Sequence, residues 1–268
     1  METSIFRAMT FNVYNQAIIS SYKYIIDLIR ITQTDVVGLQ EADPQHIIAI
    51  ADELGWYADT RACILSRWPL ERYSNNIRLP SGSHGMWVRV LPPHSNSFLV
   101  TSLHLPPNKY GPQQLRDNIA PNTIVMNEQE IRLPPLKIRI EAIRDTQEPT
   151  IIMMDANTPS HLDNTYVQWP ISTYLQTNGY VDTYRIIRPN ISMNLGLTWW
   201  AMRDNVPCTR PAPCTRREPS ARIDFVYTKG LHIIDAYTVG DTSSDLIIYP
   251  WQSDHRAVVA SLLLLHAQ

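Results

Sequence analysis

Short apolar runs that stop on an acid, an amide or an imidazole recur along the chain. Phe6–Val13 carries Asn12 near its end, and Asp35–Leu39 runs into Gln40 and Glu41. Ser97–Leu105 carries His104, and Thr150–Met154 is followed by Asp155 and Asn157. Ile223–Tyr227 holds Asp224, while Asp254 and His255 stand just before Ala257–Leu265. Runs this short suit buried strands better than helices. A carboxylate placed just past such a run is held by a rigid sheet edge, where a hard cation can meet it.

Helical periodicity fills the gaps between the runs. Ser20 or Ser21 caps a helix carrying Tyr24, Ile25, Leu28, Ile29 and Ile31, and Pro44 opens a second with Ile47, Ile48, Ile50, Ala51 and Leu54. Leu136–Thr146 reads as a third helix and Ile171–Thr177 as a fourth, closed by Asn178–Gly179. Ala62–Ser66 and Gly85–Leu91 read as further strands, the latter pairing antiparallel with Ser97–Leu105. Between Tyr227 and Ala257 an irregular stretch with glycine-marked turns is expected. Apolar strands covered by four amphipathic helices make a layered α/β architecture. With no repeat and no low-complexity linker, residues 1–268 are expected to form one domain.

Charge narrows the partners. Lys and Arg total 23 against 25 Asp and Glu, a formal net charge of −2. A protein that grips duplex nucleic acid through many phosphates needs a basic excess, so any such contact must come from a local patch. Arg203, Arg210, Arg216, Arg217 and Arg222, opposed by Asp204 and Glu218, supply one, just after Trp199 and Trp200. Arginine beside aromatic rings suits a phosphate-bearing, stackable ligand; a solvated basic loop beside core tryptophans is the competing reading. Cys63 reads as a small core residue, and Cys208 and Cys214 stand close enough in sequence to bridge, although reduced thiols are the intracellular default. No apolar run reaches the ~18 residues that span a membrane. The first residues lack a signal-peptide pattern, so the chain as given reads as a cytoplasmic monomer unless a leader was removed.

PheAsnVal, LeuGlnGlu, SerLeuHis, AspAlaAsn, ArgIleAsp and SerAspHis occur here in one order. In that order they resemble the endonuclease/exonuclease/phosphatase superfamily, which includes pancreatic deoxyribonucleases, exonuclease III-type repair enzymes, inositol polyphosphate 5-phosphatases and neutral sphingomyelinases. IleLeuSerArgTrpPro at 64–69 and ThrTrp at 198–199 fit the same pattern. The resemblance implies a four-layer α/β/β/α sandwich of two mixed β-sheets flanked by helices. It also implies Mg2+-dependent phosphoester hydrolysis by direct water attack, with Mn2+ as a substitute. Glu41 would anchor the metal with Asn12 and Asp254. Asp155 and Asn157 would position the water, Asp224 would orient His255, and His104 would contact a non-bridging oxygen. Arg217, Trp199 and Asn108 are the candidate substrate contacts. Repair nucleases of the superfamily commonly carry an acid two places after the first-strand Asn; Tyr14 stands there instead, which weakens a repair role and a two-metal site.

Each residue also has a plainer reading. Asn12, Asp155 and Asn157 are turn formers, Glu41 is a solvated acid at a helix entry, and Asp224 pairs with Arg222 or Arg217. His104 and His255 are hydrogen-bonded structural histidines in that reading; His46, His94, His161, His232 and His266 have no recognisable partners and read as structural or surface residues, with His84 a loop contact. Three functions follow. The first is a phosphodiesterase or nuclease with nucleic acid or nucleotide among its substrates. The second is a phosphatase or phospholipase C-type enzyme acting on inositol phosphates, sphingolipid or another small phosphoester. The third is a non-catalytic binding module, which has no chemical need for the whole set of acids, amides and imidazoles. Leu246–Trp251 is the one candidate apolar loop for a lipid surface.

Overall fold

The computed structural model describes residues 3–14, 21–73, 86–163, 166–199 and 219–265, and among them two mixed β-sheets stack face to face. One sheet runs β12 (Leu246–Ile247), β11 (His232–Gly240), β13 (Ala257–Leu265), β1 (Thr3–Asn12), β2 (Val36–Gln40), β4 (Ile64–Ser66) and β3 (Tyr57–Asp59). The other runs β5 (Leu70–Arg72), β6 (Val88–Val90), β7 (Phe98–His104), β8 (Thr150–Asp155), β10 (Asp224–Lys229) and β9 (Val181–Asp182). The parallel pairs β1–β2 and β7–β8 lie centrally, and β6–β7 is antiparallel as the sequence suggests.

Period-two alternation sorts the strand residues into layers. Met9, Phe11, Val37 and Leu39 face outward onto α1 (Tyr22–Thr32) and α2 (Pro44–Leu54), meeting Ile25, Leu28, Ile47 and Ile50. Ala8 and Val36 face inward and pack against Val100, Ile151, Met153 and Val226 of the second sheet. Leu99, Ile152, Met154 and Phe225 face away again, onto α5 (Leu133–Glu141) and α6 (Pro170–Thr177). Helix, sheet, sheet and helix are the four layers expected.

Three further helices occur: α3 (Gly111–Arg116), α4 (Pro121–Ile131) and α7 (Thr183–Ile187). The first and last hold 6 and 5 residues, too few to display a helical period. In α4 only Ile124 and Glu128 are buried, so no apolar stripe marks it. The stretch expected to be irregular contains β11, whose first half alternates between exposed and half-buried while its two isoleucines, Ile233 and Ile234, stand side by side rather than in alternation. Leu246–Trp251 divides: Ile247 and Tyr249 are exposed, while Trp251 is buried against Phe11. Among the remaining histidines, His161 meets Ser172 and Gln176 at 2.8 and 2.7 Å, and His46 stacks on Tyr22, so both have partners the sequence does not reveal.

The sheets approach closely where Gly38 faces Met153, since a Cβ at position 38 would lie 2.8 Å from the Met153 Cβ. Gly38→Ala is therefore expected to destabilise the protein by about 1–3 kcal/mol through overpacking. Urea denaturation of the two proteins checks this.

Candidate active site

The inward rows of the alternation end at one rim, and they end on polar residues. From the first sheet come Thr10 and Asn12 of β1 and Gln40 of β2; from the second come Ser102 and His104 of β7, Asp155 of β8 and Asp224 of β10. Register brings them level: Asn12 pairs with Gln40, His104 with Asp155, and Asp155 with Asp224. Glu41 follows directly, at φ 58, a left-handed conformation that ends β2 at the rim. A non-glycine residue adopts this conformation at a steric cost, as Gln33 does at the C-cap of α1, so the backbone around it must hold it there. Asn157 also has a positive φ, 50, which Asn tolerates better than most residues.

The Asn12 amide nitrogen donates to Glu41 Oε1 at 3.1 Å and to Asp155 Oδ2 at 2.9 Å, and lies 3.5 Å from His255 Nε2. Its oxygen accepts from the Tyr14 amide at 3.0 Å. His255 Nδ1 lies 2.9 Å from Asp224 Oδ2, and His255 Nε2 lies 3.7 Å from Asp155 Oδ2. His104 Nε2 stands 3.4 Å from the same Asp155 oxygen and 4.0 Å from Glu41 Oε1. Asp155 Oδ1 accepts from the Asn157 amide at 2.9 Å, while the Asn157 side chain donates to the Leu105 carbonyl at 2.8 Å. Seven of the residues expected at the site are thus joined by direct contacts. The eighth, Asp254, adjoins His255, and Glu41 and Asp155 both act on its charge.

Several acids share this small volume, and their titration reflects it. Burial pushes Asp254 up to about 7, with the Glu41 and Asp155 charges adding to the effect and His255 opposing it. Asp224 is raised by burial and by Asp155, against the pull of His255. Burial opposes protonation of His255, but the carboxylates of Asp224, Asp155 and Asp254 outweigh it and hold the imidazole at about 10. Asp254 Oδ1 is buried with no hydrogen-bond partner among the described residues. A buried, orphaned carboxylate oxygen beside other acids is what a divalent cation satisfies. Asp155, Asp224 and His255 each bring a ligand atom within 4.8 Å of the others, and Glu41 and Asp254 add hard oxygen donors beside them, so the chemistry of the set fits a divalent metal.

Supporting residues were less legible in the sequence. The Thr198 hydroxyl accepts from the amides of Ile223 and Asp224 at 2.9 and 3.0 Å, setting the start of β10. Ser253 Oγ donates to the Asn12 carbonyl at 2.7 Å and accepts from the His255 amide at 3.1 Å. Gln40 bridges the sheets, bonded to Thr10 of β1 and Ser102 of β7. Each is a member of a motif noted in the sequence, ThrTrp, SerAspHis or LeuGlnGlu, but the hydrogen bonds it makes come from partners far along the chain.

Among the substrate candidates, the Trp199 ring lies 4.8 Å from that of His255, and its backbone bridges to Ala221 and His255. Asn108 has an exposed side chain on the loop after His104. Arg217, the other loop arginines before Arg222, Trp200, Cys208, Cys214, His84 and His266 lie outside the described residues. Arg222 is occupied by Asp163 and Asp182 at 3.0 Å or less, which leaves Asp224 to His255. A cavity of about 110 Å³ opens beside the centre, lined by Glu41, Cys63, Ser102 and His104 among others. A larger one, about 520 Å³, lies apart from it, between α6, β9 and α7, and holds none of the site residues.

A two-sheet sandwich with acids, amides and imidazoles converging on one rim defines a hydrolase of the class that works on phosphoesters. The model of the Endonuclease/Exonuclease/phosphatase family matches residues 9–255, and the chain belongs to that family of phosphoester hydrolases. An uncharacterized Caenorhabditis elegans protein is 29% identical over 255 residues, covering 84% of this chain and 78% of its own. Among solved structures, D. rerio TDP2 complexed with single strand DNA product is similar at TM-score 0.61 and 13% identity, covering 97% of this chain and 99% of that one. A Bacteroides thetaiotaomicron mannosyl-6-phosphatase is similar at TM-score 0.58 and 13% identity, covering 96% and 99%.

Asn12→Asp exchanges the shared donor for another negative charge. In metal-free buffer it is expected to lower stability by about 2 kcal/mol or more, since an acceptor then faces two carboxylates. A divalent cation should restore more stability to this variant than to the wild type. Thermal unfolding with and without chelator measures both.

Proposed function

We propose that the protein hydrolyses a phosphodiester in a Mg2+-dependent reaction by direct attack of water, without a covalent enzyme intermediate. The observation that carries this reading is the Asn12–Glu41–Asp155–His255 contact set with the orphaned Asp254 oxygen beside it. Glu41 is the main ligand, helped by Asp254 and by Asn12, whose amide oxygen becomes a donor if the side chain turns. A divalent ion held there would supply Lewis-acid polarisation of a phosphoryl oxygen and offset charge on the leaving group, with Mn2+ an acceptable substitute for Mg2+.

The chain's own residues do the rest. Asp155, fixed by the Asn157 amide, aims the water at phosphorus. His255, oriented by Asp224, presents Nε2 to the phosphoryl group, as the imidazole of a hydrolytic triad is oriented by its carboxylate. His104 hydrogen-bonds a non-bridging oxygen, and the proton released by water stays within this carboxylate–imidazole set. Asn108, Trp199 and Arg217 contact the rest of the substrate.

A phosphodiester in nucleic acid or a nucleotide is the favoured substrate, because the half-buried Trp199 ring, 4.8 Å from that of His255, puts an aromatic side chain at the centre. A small phosphomonoester or a lipid phosphoester is the alternative outcome of the same experiment. A hydrolysis panel spans a generic phosphodiester, single- and double-stranded DNA, RNA, inositol phosphates and sphingomyelin, with Mg2+, Mn2+ or chelator. Glu41→Ala and His255→Ala should each lower kcat about 100-fold or more, as loss of a group that stabilises the transition state does. Full activity in chelator, or in His255→Ala, would remove this mechanism.

A further inference from the structure

Arg132, at the end of α4, is wholly buried, and so is Glu128 one turn earlier, 2.9 Å away. A closed ion pair of this kind is an expensive way to stabilise a core, because an apolar pair of similar volume commonly does as well or better. Its contacts point to another role. The second arm of the guanidinium, Nη2, donates to the Asn108 carbonyl at 2.9 Å. Glu128 lies beside the Thr158 hydroxyl, the residue after Asn157, and the Asp155 carboxylate acts on the Arg132 charge. The pair therefore sits between the loop that follows His104 and the turn that carries Asp155 and Asn157.

In that loop Lys109 and Tyr110 have anchors of their own, the Asn127 amide oxygen at 2.8 Å from the Lys109 ammonium and the Pro219 carbonyl at 3.2 Å from the Tyr110 hydroxyl, whereas the Asn108 backbone is held by Arg132. Pro106 and Pro107 have no N–H to donate. At its root, the Leu105 amide donates to the Asp155 carbonyl at 3.0 Å, and the Leu105 carbonyl accepts from Asn157. At its far end Gly111 is pressed on Trp169, where a Cβ would come within 2.4 Å of the ring. In between, Asn108 is fixed through its backbone by Arg132 while its side chain is exposed.

We infer that Arg132 is a positioning residue for substrate: it holds the 105–110 loop so that the Asn108 side chain is preset to meet the phosphoester beside Asp155. The inference rests on the phosphoester reading of the site. Lysine at 132 would keep the charge and reach Glu128, but it lacks the planar fork that serves two acceptors at once. Arg132→Lys therefore separates the hold on Asn108 from the charge itself.

The test compares wild type, Arg132→Lys, Asn108→Ala and the double variant by steady-state kinetics and by limited trypsin cleavage after the exposed Lys109. The expected result for Arg132→Lys is cleavage of the Lys109–Tyr110 bond about 10-fold faster at unchanged Tm, because only the loop is loosened. KM should rise about 10-fold with kcat within about 3-fold, as for a lost binding contact. The double variant should be no worse than the worse single one, since both changes remove the same contact. Unchanged cleavage overturns the proposal, as do independent losses that multiply in the double variant. Should Arg132→Lys fail to fold, the neutral pair Glu128→Leu with Arg132→Met is read in the same way. Should the wild type hydrolyse no phosphoester, the functional reading fails, while the cleavage comparison still decides what Arg132 holds.

Discussion

The hydrogen bonds of the Asn12 amide, to Glu41 on one side and Asp155 on the other, tie the two sheets together at the point where their acids crowd. Carboxylates packed this closely repel, and burial penalises each of them further. Only a neutral donor, a protonated imidazole or a metal ion can sit among them at low cost. Asn12 supplies the first and His255, charged between Asp224 and Asp155, the second. The Asp254 oxygen left over is where the third fits. The chemistry at this rim is thus a consequence of how the charge there must be balanced.

The position of the rim is set by parity. Inward-facing residues of β1, β7, β8 and β10 are apolar along the sandwich and polar only where the strands end, so Asn12, His104, Asp155 and Asp224 arrive on the same side of their sheets. A register slip of one residue on any of these strands would turn its functional side chain onto the helical layer. Glu41 stands outside this alternation and reaches the site through its left-handed backbone, a conformation that costs roughly 1–2 kcal/mol for a residue with a Cβ. That strain is held by the hydrogen-bonded ends of β1 and β2.

Much of this was legible in the sequence because each motif is local. An apolar run with its terminal acid is one strand, and strand ends meet at rims. The helices α1 and α2 were equally plain, since Ser21 caps one apolar stripe and Pro44 opens the other. Illegible were contacts whose partners are far apart in the chain. Arg132 looks like a surface residue of a polar helix until the Asn108 carbonyl, 24 residues away, is brought to it. Thr198 reads as half of a ThrTrp signpost until β10 arrives against it. β11 escaped notice because Ile233 and Ile234 stand side by side and the pairing register shifts between Ile233 and Asp235, which breaks the period-two alternation.

The central claim, that this crowded rim is a divalent-cation site anchored by Glu41, is tested most directly by calorimetric titration of Mn2+ into the metal-free protein and its Glu41→Ala and Asp254→Ala variants. The account predicts saturable binding to the wild type, loss of it in Glu41→Ala, and clear weakening in Asp254→Ala. Binding of equal strength in all three proteins, or none in the wild type, would contradict it.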